Sequence, residues 1–219
     1  MKKLIIAISS IFMLTLTSAM SMEMRPAVGI SGNMGVYAAT GIEDNYNEAG
    51  TAIDETTTEH GAFATEFGSI FIELGLNDVV SLGVDYVPHT IETPNNKSSE
   101  GNGSQENSVE AHFEDLTTVY AKINVPLGGT YLKLGYTQAD VISKETMSSG
   151  NSFGNDTTSG YTIGLGYNHE ISNGVSVRAE ITGSDFSDVK ANNGQTNKVE
   201  VKVKDMIGAR GTISLVKAF

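Results

Sequence analysis

The stretch YTIGLGYNHEISNGVSVRAEI, residues 161–181, alternates twice around a turn. Tyr161, Ile163, Leu165 and Tyr167 share one face, and Thr162, Gly164, Gly166 and Asn168 share the other. After Ser172–Asn173–Gly174, the residues Val175, Val177, Ala179 and Ile181 oppose Ser176, Arg178, Glu180 and Thr182. Period-two alternation on both sides of a turn reads as a β-hairpin. With a short turn after Asn168–His169–Glu170, Arg178 falls opposite Gly166 and Glu180 opposite Gly164. A glycine leaves space for a long charged neighbour across the strand pair. Such a face suits a crowded, closed interior, and the hairpin points to a small β-barrel, apolar outside and polar inside.

The same pattern runs outward in both directions. Ile70, Ile72 and Leu74 alternate with Ser69, Phe71 and Glu73, and Val80, Leu82 and Val84 alternate with Ser81, Gly83 and Asp85. In the next hairpin Val119, Ala121 and Ile123 take one face, and Tyr120, Lys122 and Asn124 the other. It continues with Leu132, Leu134 and Tyr136 against Lys133, Gly135 and Thr137. With an opening strand over residues 26–41 and a closing one to Phe219, eight strands are predicted. Long polar connections at 42–61, 91–112 and 143–157, and a shorter one near 191–196, alternate with tight turns. In an up-and-down meander this puts all long loops at one end, the layout of outer-membrane barrels. The run NNKSSEGNGSQENS within 91–112 has the composition of a segment too polar to order itself.

Lys2 and Lys3 precede an apolar run from Leu4 to Leu16 and a small-residue Thr17–Ser18–Ala19. This is the layout of a cleaved signal peptide over residues 1–19, leaving 20–219 as the barrel domain. About 13 apolar residues are too few to span ~30 Å of hydrocarbon as a helix. Losing the two lysines takes the formal charge from −12 to −14. Such acidity excludes nucleic acid as a natural partner, because phosphate contacts need Lys and Arg. The absence of cysteine removes disulfides and thiolate metal sites.

In the last strand Val199, Val201, Val203, Ile207, Ala209, Ile213 and Leu215 share parity with the terminal Phe219. Here the chain resembles the bacterial outer-membrane β-barrel family, in particular its eight-stranded OmpA/OmpX/Opa-like type. Lys217 stands where an apolar residue is usual. The resemblance implies an all-β, eight-stranded antiparallel up-and-down transmembrane β-barrel in the outer membrane of a Gram-negative cell. It implies Phe219 as a signal for the barrel assembly machinery and outer-membrane lipid as surroundings; the barrel is expected to be a monomer.

Alternation alone does not say which face is inside. The presumed inner face carries Glu73, Asp85, Lys122, Lys133, Arg178, Glu180 and Arg210 among glycines and hydroxyls. Gly83 falls across from Glu73 and Gly135 across from Tyr120, while Tyr86, Tyr136, Tyr161 and Tyr167 sit where an interfacial girdle belongs. Lys122 faces Lys133, so both need carboxylates from elsewhere in the ring. Eight strands enclose an interior that side chains just fill. A plugged barrel held by structural ion pairs is expected.

His60, His89 and His112 map to the loop end and His169 to the other. None has a second histidine at ligand spacing, and the acidic 42–61 segment lacks the calcium-loop pattern, so no metal or cofactor is expected. His89, Thr90 and Asp140 are fragments of a catalytic set without a complete one. The expected role is structural or surface-interacting and non-catalytic, with the loops offered to an extracellular ligand. The alternatives are a narrow channel, a rim-active acyl hydrolase or protease, and a soluble ligand-binding barrel.

Overall fold

The computed structural model describes residues 24–99, 106–146, 152–195 and 198–219. The expected signal peptide lies outside them, as do the centres of the connections at 91–112 and 143–157. Eleven strands follow in order: β1 (Arg25–Tyr46), β2 (Ile53–Gly75), β3 (Val80–Tyr86), β4 (Ile91–Glu92), β5 (Asn96–Ser99), β6 (Glu106–Asn124), β7 (Thr130–Thr146), β8 (Asp156–Ser172), β9 (Val175–Phe186), β10 (Val189–Asn192) and β11 (Val199–Ala218). Eight of them close a ring in the order β1-β2-β3-β6-β7-β8-β9-β11 and back to β1, every neighbour antiparallel. The short β4 and β5 pair with β6, and β10 pairs with β11. Closure gives every wall strand two neighbours, as lipid requires, because hydrocarbon satisfies no backbone donor or acceptor.

The faces divide as a membrane barrel demands. Ile163, Ile181, Ile30 and Ile213 point outward at 60–66% exposure, whereas Glu73, Arg178 and Glu180 are 4–7% exposed inside. Tyr136 and Tyr161 meet edge-on outside the wall at 5.7 Å between ring centres. The apolar face is therefore the lipid face, and the soluble-barrel alternative, which inverts these faces, is overturned.

Several expectations need correction. The opening hairpin is tighter than the sequence implies. Asn173 and Gly174 form a two-residue turn with φ of 46° and 75°, and a register shift falls between Glu170 and Ser172. Gly166 therefore pairs with Glu180, Asn168 with Arg178, and Gly164 with Thr182. The expected Arg178–Gly166 and Glu180–Gly164 pairs are each displaced by two residues. The other registers hold: Glu73 faces Gly83, Tyr120 faces Gly135, and Lys122 faces Lys133.

The polar connections are also much shorter than their composition suggests. β1 and β2 continue in register as far as Tyr46 and Ile53, and β6 and β7 as far as Ser108 and Thr146. Polar, Thr-rich segments form strands here because the ladder is held by backbone hydrogen bonds and needs no apolar burial. Thr56–Thr57–Thr58 was the available signal, since β-branched residues favour strands.

Because the chain contains no cysteine, single-cysteine variants report the orientation directly. A fluorophore on Ile163→Cys or Ile181→Cys in vesicles should be quenched by a lipid-borne quencher. Ser214→Cys, sealed in the lumen at 5% exposure, should not take up the label.

Candidate functional site

Along β2 the inward side chains from the turn end to the loop end are Glu73, Phe71, Ser69, Phe67, Thr65 and Phe63. Along β9 they run Arg178, Glu180, Thr182 to Phe186. The lumen is thus layered, with charges near the turns, hydroxyls in the middle and apolar groups near the loops.

In the charged layer Glu73 is the hub. Its carboxylate pairs with the Arg178 guanidinium and, at 2.5 Å, with Lys122 Nζ. It also accepts from the Tyr120 hydroxyl at 3.1 Å. Glu180 is the second hub, accepting from Lys133 Nζ at 2.9 Å and from the Tyr131 hydroxyl at 2.8 Å. Lys122 and Lys133 sit side by side in register, and each takes a different carboxylate. Asp85 accepts from Ser69 at 3.0 Å and lies 3.8 Å from Arg210. All seven lumen charges singled out in the sequence are thus drawn into ion pairs. Lys133 also lies 4.2 Å from the centre of the Tyr120 ring, and Arg178 5.3 Å from that of Tyr131.

The glycines serve these tyrosines rather than the charges opposite. A Cβ on Gly166 would fall 2.1 Å from the Tyr131 ring, and one on Gly83 2.4 Å from the Tyr120 ring. Both rings lie flat across the wall of the neighbouring strand and deliver their hydroxyls to the two hubs. Only glycine permits that approach.

The middle layer is a chain of side-chain hydrogen bonds. Thr118, Thr137, Thr162 and Ser184 link in sequence at 2.8, 3.0 and 2.8 Å. On the other side Asn33 accepts from Thr212 at 2.8 Å and donates to Ser69 at 3.1 Å.

Above it lies a chamber of about 350 Å³ lined by apolar groups, among them Tyr37, Phe63, Phe113, Val141, Phe186 and Met206. Phe67, Val87 and Ile91 pack together at its side. Two bulges make this chamber. Asp115 and Asp205 adopt φ of 52° and 51°, and the registers shift beside each of them. An extra residue in one strand moves the following side chains to the opposite face. Val203, expected on the lipid side with Ile207, and Phe113, which shares parity with the outward Val119, turn inward instead. The Tyr86 hydroxyl donates to Asp115 at 2.9 Å and holds the first bulge in place. Strict alternation missed the chamber for this reason.

Beyond the chamber Lys202 bridges Asp44 at 2.6 Å and Glu200 at 3.0 Å. Hydrogen bonds from Lys202 and then Thr56 hold the Asp44 carboxyl below the usual carboxylate range. The histidines fall in separate places. His60 shares a 3.0 Å hydrogen bond with Thr40, His169 stacks on Tyr167, and His89 lies against Gly68. Asp140 accepts from Thr157 at 3.2 Å. Among the described residues no hydrogen bond joins it to His89 or Thr90.

Residues 9–204 match the family model described as outer membrane protein beta-barrel domain. Among solved structures, the outer membrane protein OprG from Pseudomonas aeruginosa is similar in fold. It is 13% identical, covers 88% of this chain and 95% of its own, and has a TM-score of 0.54. Ail of Yersinia pestis, solved with a heparin analogue, is 10% identical over 87% of this chain and 99% of its own, at a TM-score of 0.40. Neisserial surface protein A is 12% identical over 85% and 97%, at 0.36. No curated protein matches the chain.

Glu73→Gln would strand two buried cations that share one carboxylate, which costs about 3–5 kcal/mol when a buried pair is broken. Urea unfolding in vesicles, followed by tyrosine fluorescence, should show a loss of that size. Gly166→Ala should be destabilised by about 1–3 kcal/mol in the same assay, because the Tyr131 ring must move.

Proposed function

Since the chain belongs to the outer membrane protein β-barrel domain family and sits in the lipid of the outer membrane, we propose that it is a plugged, non-catalytic barrel working at the cell surface. Its loop-bearing end holds a small apolar ligand in the chamber. The chamber itself carries the reading. Its volume of about 350 Å³ falls in the range of small-molecule sites, which are mostly apolar with a few polar groups. Tyr37, Thr93 and Thr158 are the hydroxyl-bearing residues of its lining.

The charged layer is structural in this reading. Buried ion pairs between strands that are not neighbours in the ring tie the wall together and occupy the lumen where an ion would have to pass. The alternative of a narrow channel would need a continuous aqueous route past Glu73 and Glu180. The signal peptide over residues 1–19 directs export, Phe219 is read by the barrel assembly machinery, and the barrel acts as a monomer. The extracellular connections at 42–61, 91–112 and 143–157 are the surface offered to an external ligand, and Thr93 and Pro94 of the second line the chamber.

A small apolar fluorophore such as N-phenylnaphthylamine should bind the detergent-solubilised barrel saturably. Val203→Glu, which puts a carboxylate into the chamber wall, should abolish that binding while the variant keeps its heat-dependent gel mobility. Equal binding by the variant would discard the chamber as the site. In planar bilayers the wild-type barrel should show no steady conductance, and a stable open level would instead favour the channel.

A further inference from the structure

On the outward side of the loop-end wall, β4 and β6 bring three metal-ligating groups together. Glu92 is in register with His112, and Glu110 lies two residues away on the same face of β6. The two carboxylates and the imidazole all place a ligand atom within 4.8 Å of one another. His112 Nε2 lies 2.6 Å from Glu110 Oε1, and the two side chains are only 18% and 21% exposed. Asn95 donates to the other Glu110 oxygen at 3.4 Å and fixes the direction of that carboxylate.

This differs from a set of acidic side chains on a floppy loop. Two of the groups are fixed at i and i+2 on one strand, and the third at the paired position on its neighbour. The hydrogen-bonded ladder therefore sets their spacing before any ion arrives. One imidazole and two carboxylates make a borderline donor set of three. That suits a divalent d-block cation with a fourth position open to water, whereas calcium and magnesium favour all-oxygen shells. The Glu-x-His spacing was visible in the sequence, but its third member, Glu92, is 18 residues before Glu110 along the chain and reaches it only through strand pairing.

We propose that Glu92, Glu110 and His112 bind a divalent d-block cation of the zinc type on the outer surface of the barrel. The bound ion ties β4 to β6. The next register pair, Ile91 and Phe113, lines the chamber, so the ion also braces the chamber wall. The site does not depend on what the chamber holds.

The test is calorimetric titration of the EDTA-stripped, detergent-solubilised mature chain with zinc chloride. The wild-type protein should show one saturable site, and His112→Ala and Glu92→Gln should each lose it. His60→Ala should retain it, and all four proteins should keep heat-dependent gel mobility. Glu92→Gln, an isosteric change at the surface, keeps the test decisive if His112→Ala folds poorly. A wild-type titration without a saturable phase, or variants that bind zinc as the wild type does, would overturn the assignment.

Discussion

A carboxylate sealed inside a closed barrel must find its cations across the lumen. Glu73 does so from β2, reaching Arg178 on β9 and Lys122 on β6, with the Tyr120 hydroxyl filling a further lone pair. No two of these strands are neighbours in the ring. The pairings therefore act as spokes, and their value lies less in net stabilisation than in excluding arrangements that leave a buried charge alone. Glu180 on β9, with Lys133 and Tyr131 on β7, repeats the construction from the other side of the ring.

The spokes explain the glycines and the tyrosines together. A tyrosine carries its hydroxyl into the lumen only by lying across its own strand pair, and the space it needs is vacated at Gly83 and Gly166. What looks in the sequence like room for an arginine is room for an aromatic ring whose hydroxyl serves a carboxylate. The cations then pack against those rings, so charge, ring and glycine form one unit.

The two bulges divide β6 and β11 into stretches of opposite parity, at Asp115 and Asp205. Between these aspartates and the turns, β6 and β11 alternate without a register shift, and Ile207, Ile213 and Leu215 stay outside. On the loop side of them the reversed parity turns Phe113 and Val203 toward the axis. Apolar side chains that would otherwise meet water bury themselves in a chamber, while polar ones such as Glu110 and His112 face outward. One added residue per strand thus converts a plugged barrel into a plugged barrel with a cup.

Much of this was legible in the residues themselves. Alternation at 161–181, the four cations and three carboxylates on one parity, and the long-then-short rhythm of connections fixed an eight-stranded membrane barrel with a charged lumen. They did so because side-chain period and loop length are local properties. The partner of each charge, the displacement of Arg178 to Asn168, the strands hidden in Thr-rich segments, the chamber and the Glu92–Glu110–His112 cluster were decided by tertiary structure. Each depends on register across strands or on a bulge that shifts it, and a backbone kink at a single aspartate leaves no periodic trace in the chain.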